Sequence, residues 1–371
     1  MDSLPKYFVT LVLTLHGLIH LFGFVKAYEI ADIAQLTLSI TRSSGILWLV
    51  VSILLWITAI LLLVGAEYWW LVALTGVVIS QYLVFQQWDD ARYGTLVNLL
   101  ILVPVLVGLM MTLPSSFQNI YEKEVAARKQ EVLSPDVLTD SQIGHLPEMI
   151  QQYLKFSGSI GNQKTVNFHA RFNGTMSQSP DGKELSISAD QHNFYSGAFS
   201  RFFYIESSVF GIPFTGLHRY SDGEAVFQIK VAEVIPVVDA KGHEALISDT
   251  VTLFNDMCLF APSTLVNADI RWTEIGPNQL EGLFRHSGVA VKATLSFRDS
   301  GELVSFASDD RYMTEDGKIY ENHRWSTPIT EYSIIEGRNV PSRAQAVWHL
   351  PEGEYQYADF ALDGITYNVM K

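Results

Sequence analysis

Residues 45–66 read GILWLVVSILLWITAILLLVGA, twenty-two positions without a charged side chain. A helix rises about 1.5 Å per residue, so a run of this length covers the ~30 Å hydrocarbon core of a bilayer. Three further apolar runs of comparable length surround it: Tyr7–Val25 before it, and Tyr68–Phe85 and Leu96–Pro114 after it. No run of this kind recurs in the remaining two thirds of the chain. The pattern predicts an α-helical four-span membrane bundle over 1–115, a helical stalk or linker over 116–140 and a soluble β-rich domain over 141–371. The first span has no basic cluster before it and no small-x-small site after it. It is therefore expected to be a retained helix rather than a cleaved leader.

The charges divide in the same way. Residues 1–120 hold only Lys6, Lys26, Arg42 and Arg92 as cations, and the rest of the chain carries −12 of the net −14. So acidic a domain repels nucleic acid at long range, and nucleic-acid binding is not expected. The basic residues flanking the spans divide three against four between the two sides, which leaves the side of the soluble domain open. Within the bundle, residues 27–44 form the longest loop, and Ile30–Ile40 reads as a short amphipathic segment at the interface. Several tryptophans fall near span ends, as headgroup anchoring favours.

Beyond Pro114 the residues 116–132 are charged and helix-favouring, and a second helix is expected over Leu146–Phe156, where Leu146, Ile150, Tyr153 and Leu154 share a face. From about residue 164 the period becomes two. Val166–Phe172, Leu185–Ala189 and Val289–Phe297 alternate apolar with polar, and Asp181-Gly182, Asp222-Gly223, Ser300-Gly301 and Asp316-Gly317 mark turns. The fold class expected is α+β: a large curved antiparallel sheet or open barrel with a helical lid. The lid is placed at Leu246–Val266, as one or two helical turns ended by Pro262. The single cysteine, Cys258, excludes an intrachain disulfide and sits in an apolar run, which predicts a buried structural thiol.

His16 and His20 lie four apart on one face of the first span. Polar groups at membrane depth point to function, so metal binding and a proton path stand beside hydrogen bonding across the bundle to Gln81 or Asn98. Two histidines alone are a weak metal site. Asp90 and Arg92, between the third and fourth spans, could orient a substrate headgroup, but read first as residues that cap the next helix and set its register at the interface. The soluble domain lacks G-x-S-x-G, H-E-x-x-H, Walker A and G-x-G-x-x-G, and no cofactor is expected. Asp310 and Arg311 read as an ion pair pinning a strand. The aromatics either fill a solid core or line an apolar hollow; Phe202, Tyr204, Phe210, Phe254, Trp272, Trp325 and Trp348 are the ligand-binding candidates.

Several short motifs resemble a bacterial family of unknown function. They are Leu146-Pro147 with Tyr153-Leu154, Phe254-Asn255-Asp256 with Ala261-Pro262, Asp310-Arg311-Tyr312, Trp325 with Tyr332, Gly337-Arg338-Asn339-Val340-Pro341, Trp348, and Tyr367-Asn368-Val369. In the bundle, His16-Gly17, His20-Leu21, Gly23-Phe24 and Asp90–Thr95 resemble the four-helix segment attached to that family. The soluble part is similar in style to the lipoprotein-carrier (LolA-like) fold, which implies a curved sheet whose helices close an apolar hollow. The resemblance carries no assigned catalytic or binding residue.

Three functions remain open on the sequence. The first is a non-catalytic, membrane-anchored module binding a membrane lipid or other apolar small molecule, integral to a bacterial inner membrane with its soluble domain extracytoplasmic. The second is an envelope enzyme using His286, Asp310 or His323. The third is an accessory subunit with a membrane-protein partner.

Overall fold

The computed structural model describes residues 3–130, 135–209 and 211–369. The chain forms two compact units, one built on Met1–Asn119 with Ser208–Pro213 and Ala232–Val234, the other on the remainder.

The first unit is helical: α1 (Ser3–Ala27), α2 (Arg42–Val64), α3 (Trp69–Gln86), the short α4 (Trp88–Ala91) and α5 (Gly94–Thr112). Four of its helices are long and apolar enough to cross a membrane. Their outward faces carry large apolar side chains such as Leu15, Ile19, Ile60, Leu99 and Val103, as a lipid-facing surface requires. Helices α1 and α2 approach closely through small residues. A Cβ added at Gly17 would meet the Trp56 ring, and Ser52 Oγ donates to the Gly17 carbonyl at 2.7 Å. Pro104 lies within α5, which continues through it.

Residues 30–40 form turns and bends. They are tied down by Lys26, whose ammonium donates to the Leu36 carbonyl, and by Asp90. Asp90 does not cap α5: its carboxylate accepts from the backbone N–H groups of Thr37 and Leu38 and from the Thr37 hydroxyl, at 2.5–2.8 Å. The loop supplies otherwise unpaired donors, and they take the carboxylate.

In the second unit the helix α6 (Phe117–Lys129) leads to α7 (Glu148–Phe156) and then to the strands. These are β1 (Asn167–Met176), β2 (Leu185–Phe194), β3 (Ser200–Val209), β4 (Ile212–Ser221), β5 (Glu224–Val231) and β6 (Ile235–Lys241). A long helix, α8 (His243–Phe260), follows. The chain then forms β7 (Ile270–Gly276), β8 (Gln279–His286), β9 (Val289–Phe297), β10 (Leu303–Ser308), β11 (Tyr312–Met313) and β12 (Glu321–Asn322). It closes with β13 (Arg324–Ile335), β14 (Arg338–Leu350) and β15 (Gly353–Tyr367). Thirteen strands make one curved antiparallel sheet in the order β6-β5-β4-β3-β2-β1-β15-β14-β13-β10-β9-β8-β7, open rather than closed into a barrel; β11 and β12 pair separately.

That order explains the helix. The first six strands wind outward from the centre to one edge, and β7 begins at the other edge. The connection between them must cross the whole sheet face. Eighteen residues of helix span about 27 Å, which suits the task. The helix therefore runs for about five turns, where the sequence suggested one or two. No proline interrupts it before Pro262, and from Ser248 to Phe260 every residue is buried, polar ones included.

The hairpins follow local chemistry. Asp222 and Gly223 both take positive φ, 56° and 80°, the two-residue turn whose twist matches the flanking strands. Ser287-Gly288 makes a turn of the same kind without the Asn or Asp that would have marked it in sequence. In β9, Val289, Val291, Ala293, Leu295 and Phe297 are buried, while Ala290 and Lys292 face water.

Candidate functional site

Helix α8 divides the space above the sheet into two unlike halves. Toward β7–β10 the packing is solid. Phe254 lies 5.1 Å from the Phe284 ring and 5.4 Å, edge to face, from Phe306. Toward β1–β6 and β13–β15 a hollow of about 390 Å³ opens between the helix and the sheet, within the ~300–1,000 Å³ range of small-molecule sites. Its walls include Phe172, Ile187, Phe203, Phe214, Phe227, Trp325, Trp348 and Phe360, with Leu259 and Phe260 from the helix.

A polar strip lines the same hollow along α8. Asp256 Oδ2 accepts from Arg201 Nε at 2.7 Å, Gln191 Nε2 at 2.7 Å and Asn193 Nδ2 at 3.0 Å. Both partners of this ion pair are nearly sealed from water, each side chain 6% exposed. Arg201 also donates to His218 Nδ1 at 3.4 Å, which leaves the ring proton on Nε2, 3.5 Å from Asp249. Burial and the neighbouring Arg201 and Arg311 charges hold His218 neutral, well below its usual range.

Asp249 behaves in the opposite sense. Burial raises its carboxyl to about 6, against the lowering pull of Arg201 and Arg311. An unfolded aspartate titrates near ~3.9, so the folded state binds this proton more tightly than the unfolded chain. The unit accordingly loses stability as pH climbs from about 4 through about 6, and the penalty persists above. Asp249→Asn is expected to flatten that slope and to stabilise the unit at pH 7 by roughly 1–3 kcal/mol. Thermal unfolding of variant and parent compared at pH 4.5 and at pH 7 checks this. An equal difference at both values would refute it.

The candidates from the sequence separate cleanly. Trp325 and Trp348 line the hollow. Phe202 and Tyr204 do not: on β3 the residues facing the hollow are Arg201, Phe203, Ile205 and Ser207, and strand alternation turns Phe202 and Tyr204 to the other face. There Tyr204 lies 5.9 Å from Tyr121 of α6, and Phe202 packs on Phe194. Phe254 and Trp272 belong to the solid half. Phe210 lies outside the described residues.

Asp310 and Arg311 do not pair with each other. Asp310 accepts from the Lys292 backbone N–H at 2.6 Å, and Arg311 lies across Trp325 in the hollow wall. His286 stacks between Phe199 and Phe284, and His323 contacts the exposed Glu321. None of His286, Asp310 and His323 lines the hollow. The polar strip of Arg201, His218, Asp249 and Asp256 was not foreseen. Its residues are scattered over three elements, and only Asn255-Asp256 stood within a motif.

In the bundle, His16 Nε2 donates to Asn98 Oδ1 at 3.0 Å and His20 Nε2 to Ser80 Oγ at 2.8 Å. Ser80 donates in turn to Asn98 Oδ1, and Asn98 Nδ2 to Gln81 Oε1. This is the hydrogen-bonded arrangement across helices. Among the described residues no group of three or more His, Cys, Asp or Glu is placed to hold a metal.

Residues 136–360 match the family of unknown function DUF6544. The chain belongs to that family. The DUF6544 region includes α7, α8 and the hollow, and ends within β15. No protein of curated function is recognisably similar in sequence. Among solved structures, the chain is similar to a DUF1329 family protein from Desulfovibrio piger at 10% identity and a TM-score of 0.38, over 60% of this chain and 91% of that one. It is also similar to a LolA superfamily protein from Nitrosomonas europaea at 12% identity and a TM-score of 0.36, over 60% of this chain and 94% of that one.

Proposed function

We propose that this DUF6544 protein is a membrane-anchored, non-catalytic binding module that holds a lipid, acyl chain or similar apolar molecule in the hollow between α8 and the sheet. The observation that carries this reading is the hollow itself: about 390 Å³ of space walled by aromatic and aliphatic side chains. The hollow is open to solvent on one side and largely apolar, so a ligand that fills it removes apolar surface from water. The four apolar helices would hold the hollow near its lipid source, in a bacterial inner membrane with the soluble domain outside the cytoplasm. The separation of His286, Asp310 and His323 supports binding over hydrolysis.

The test uses Ala346, a buried residue in the hollow wall. The full chain is purified in mild detergent and examined by native mass spectrometry, with Ala346→Trp alongside. The parent is expected to retain a discrete lipid-sized mass through detergent exchange. The variant's indole takes up much of the space, so retention should fall by more than about tenfold. Equal retention in both chains would place the lipid on the bundle and remove the proposal.

A further inference from the structure

We infer that the ligand of the hollow is an amphiphile with an anionic oxygen head, a carboxylate or a phosphate, and that Arg311 holds that head. The inference rests on the hollow being a ligand site.

A guanidinium is always charged and offers only donors. Arg311 lines the hollow with its Nη1 buried and without a hydrogen-bond partner among the described residues. Its guanidinium lies 3.9 Å above the Trp325 ring and 5.5 Å from Trp348. Stacking of this kind satisfies the face of the cation and leaves its N–H edge unused. A buried donor with no acceptor is unfavourable until something supplies one.

Of the three acids that line the hollow, Glu315 is exposed and the other two are engaged elsewhere. Asp256 is taken by Arg201, Gln191 and Asn193, and Asp249 faces His218. Asp310, the preceding residue, is bound to the Lys292 backbone. Arg311 is thus a cation of the wall with no ion pair among the described residues. Its backbone position is fixed: Tyr312 N–H donates to Ser248 Oγ of α8 at 2.9 Å, which ties the segment to the helix. The site therefore presents a cation in the wall of a largely apolar space. That arrangement matches a head with two or more coplanar or tetrahedral oxygens and an aliphatic tail.

The experiment uses the delipidated full chain in amphipol and three diazirine-bearing probes with the same alkyl tail: the free acid, the alkyl phosphate and the methyl ester. Labelled peptides are mapped by mass spectrometry. The acid, the phosphate or both are expected to label the strands of the hollow at least about tenfold more than the ester. The acid-to-phosphate ratio distinguishes a free fatty acid from a phosphorylated lipid. Arg311→Met keeps the stem over Trp325 and should lower anionic labelling to the ester's level, while Arg311→Lys should recover part of it. Folding of both variants is checked by protection of Cys258, which is wholly buried. If the ester labels the hollow as strongly as the anions and Arg311→Met changes nothing, the anionic head is refuted and the apolar hollow stands. If no probe labels the hollow, the parent reading falls as well.

Discussion

Arg201→Met is expected to destabilise the soluble unit by about 3–5 kcal/mol. The substitution leaves the Asp256 carboxylate in place, 6% exposed and without the charged partner it has in the parent. Gln191 and Asn193 still donate to it, but neither neutral amide replaces a full charge at low dielectric. The double variant Arg201→Met/Asp256→Leu should recover most of the loss, because removing both charges removes the desolvation cost together with the attraction. Cys258 makes this measurable in the intact chain. It is the only cysteine, it is fully buried in α8, and a thiol reagent reaches it only when the helix opens from the sheet. Where reclosing outpaces labelling, a loss of 3–5 kcal/mol speeds labelling by roughly 10²–10⁴-fold. A single variant that labels like the parent would show that the pair contributes nothing to the fold.

Phe254→Ala is expected to cost a similar ~3–5 kcal/mol for a different reason. Its ring is 0% exposed and meets Trp272, Phe284 and Phe306. The surroundings are too tight to yield freely: a Cβ on Gly282 would come within 2.7 Å of Trp272 and 2.9 Å of the Phe254 ring. Truncation therefore leaves a cavity that the strands cannot close, and the cost combines lost transfer energy with the void. The two halves flanking α8 predict a further contrast. Phe254→Ala should leave lipid retention unchanged wherever the unit stays folded, whereas Ala346→Trp should abolish retention at little cost to folding. Loss of retention in folded Phe254→Ala would mean that the solid half also contacts the ligand.

How much of this was legible in the residues varies with the range of the physics. The spans were readable because a bilayer imposes a length and an apolar composition on each helix separately. Strands β1, β2 and β9 were readable because burial on one face writes period two into a local run. The Asp222-Gly223 turn was readable for the same local reason, while Ser287-Gly288 adopts that turn without the usual residues. The candidate site was harder. Aromatic content pointed to Trp325 and Trp348, which line the hollow, and to Phe202 and Tyr204, which lie on the other face of β3, since a run of five consecutive buried residues, Ser200–Tyr204, does not say which parity faces the hollow. Arg311 read as a partner for Asp310, because adjacency in sequence is not adjacency of side chains along a strand.

By itself the sequence determined what depends on neighbours a few residues apart: four apolar helices, a succession of hairpins, a buried thiol and a strongly acidic second domain. Tertiary structure alone decided what depends on distant segments meeting. It set β15 beside β1, so that α8 had to cross from one edge of the sheet to the other. It laid that helix over the sheet with aromatic rings filling the space on one side and a hollow left on the other. It also brought Arg201, His218, Asp249, Asp256 and Arg311 into one wall from β3, β4, α8 and the segment before β11. Burial energies and ion-pair geometry are properties of that assembled wall, and no local pattern encodes them.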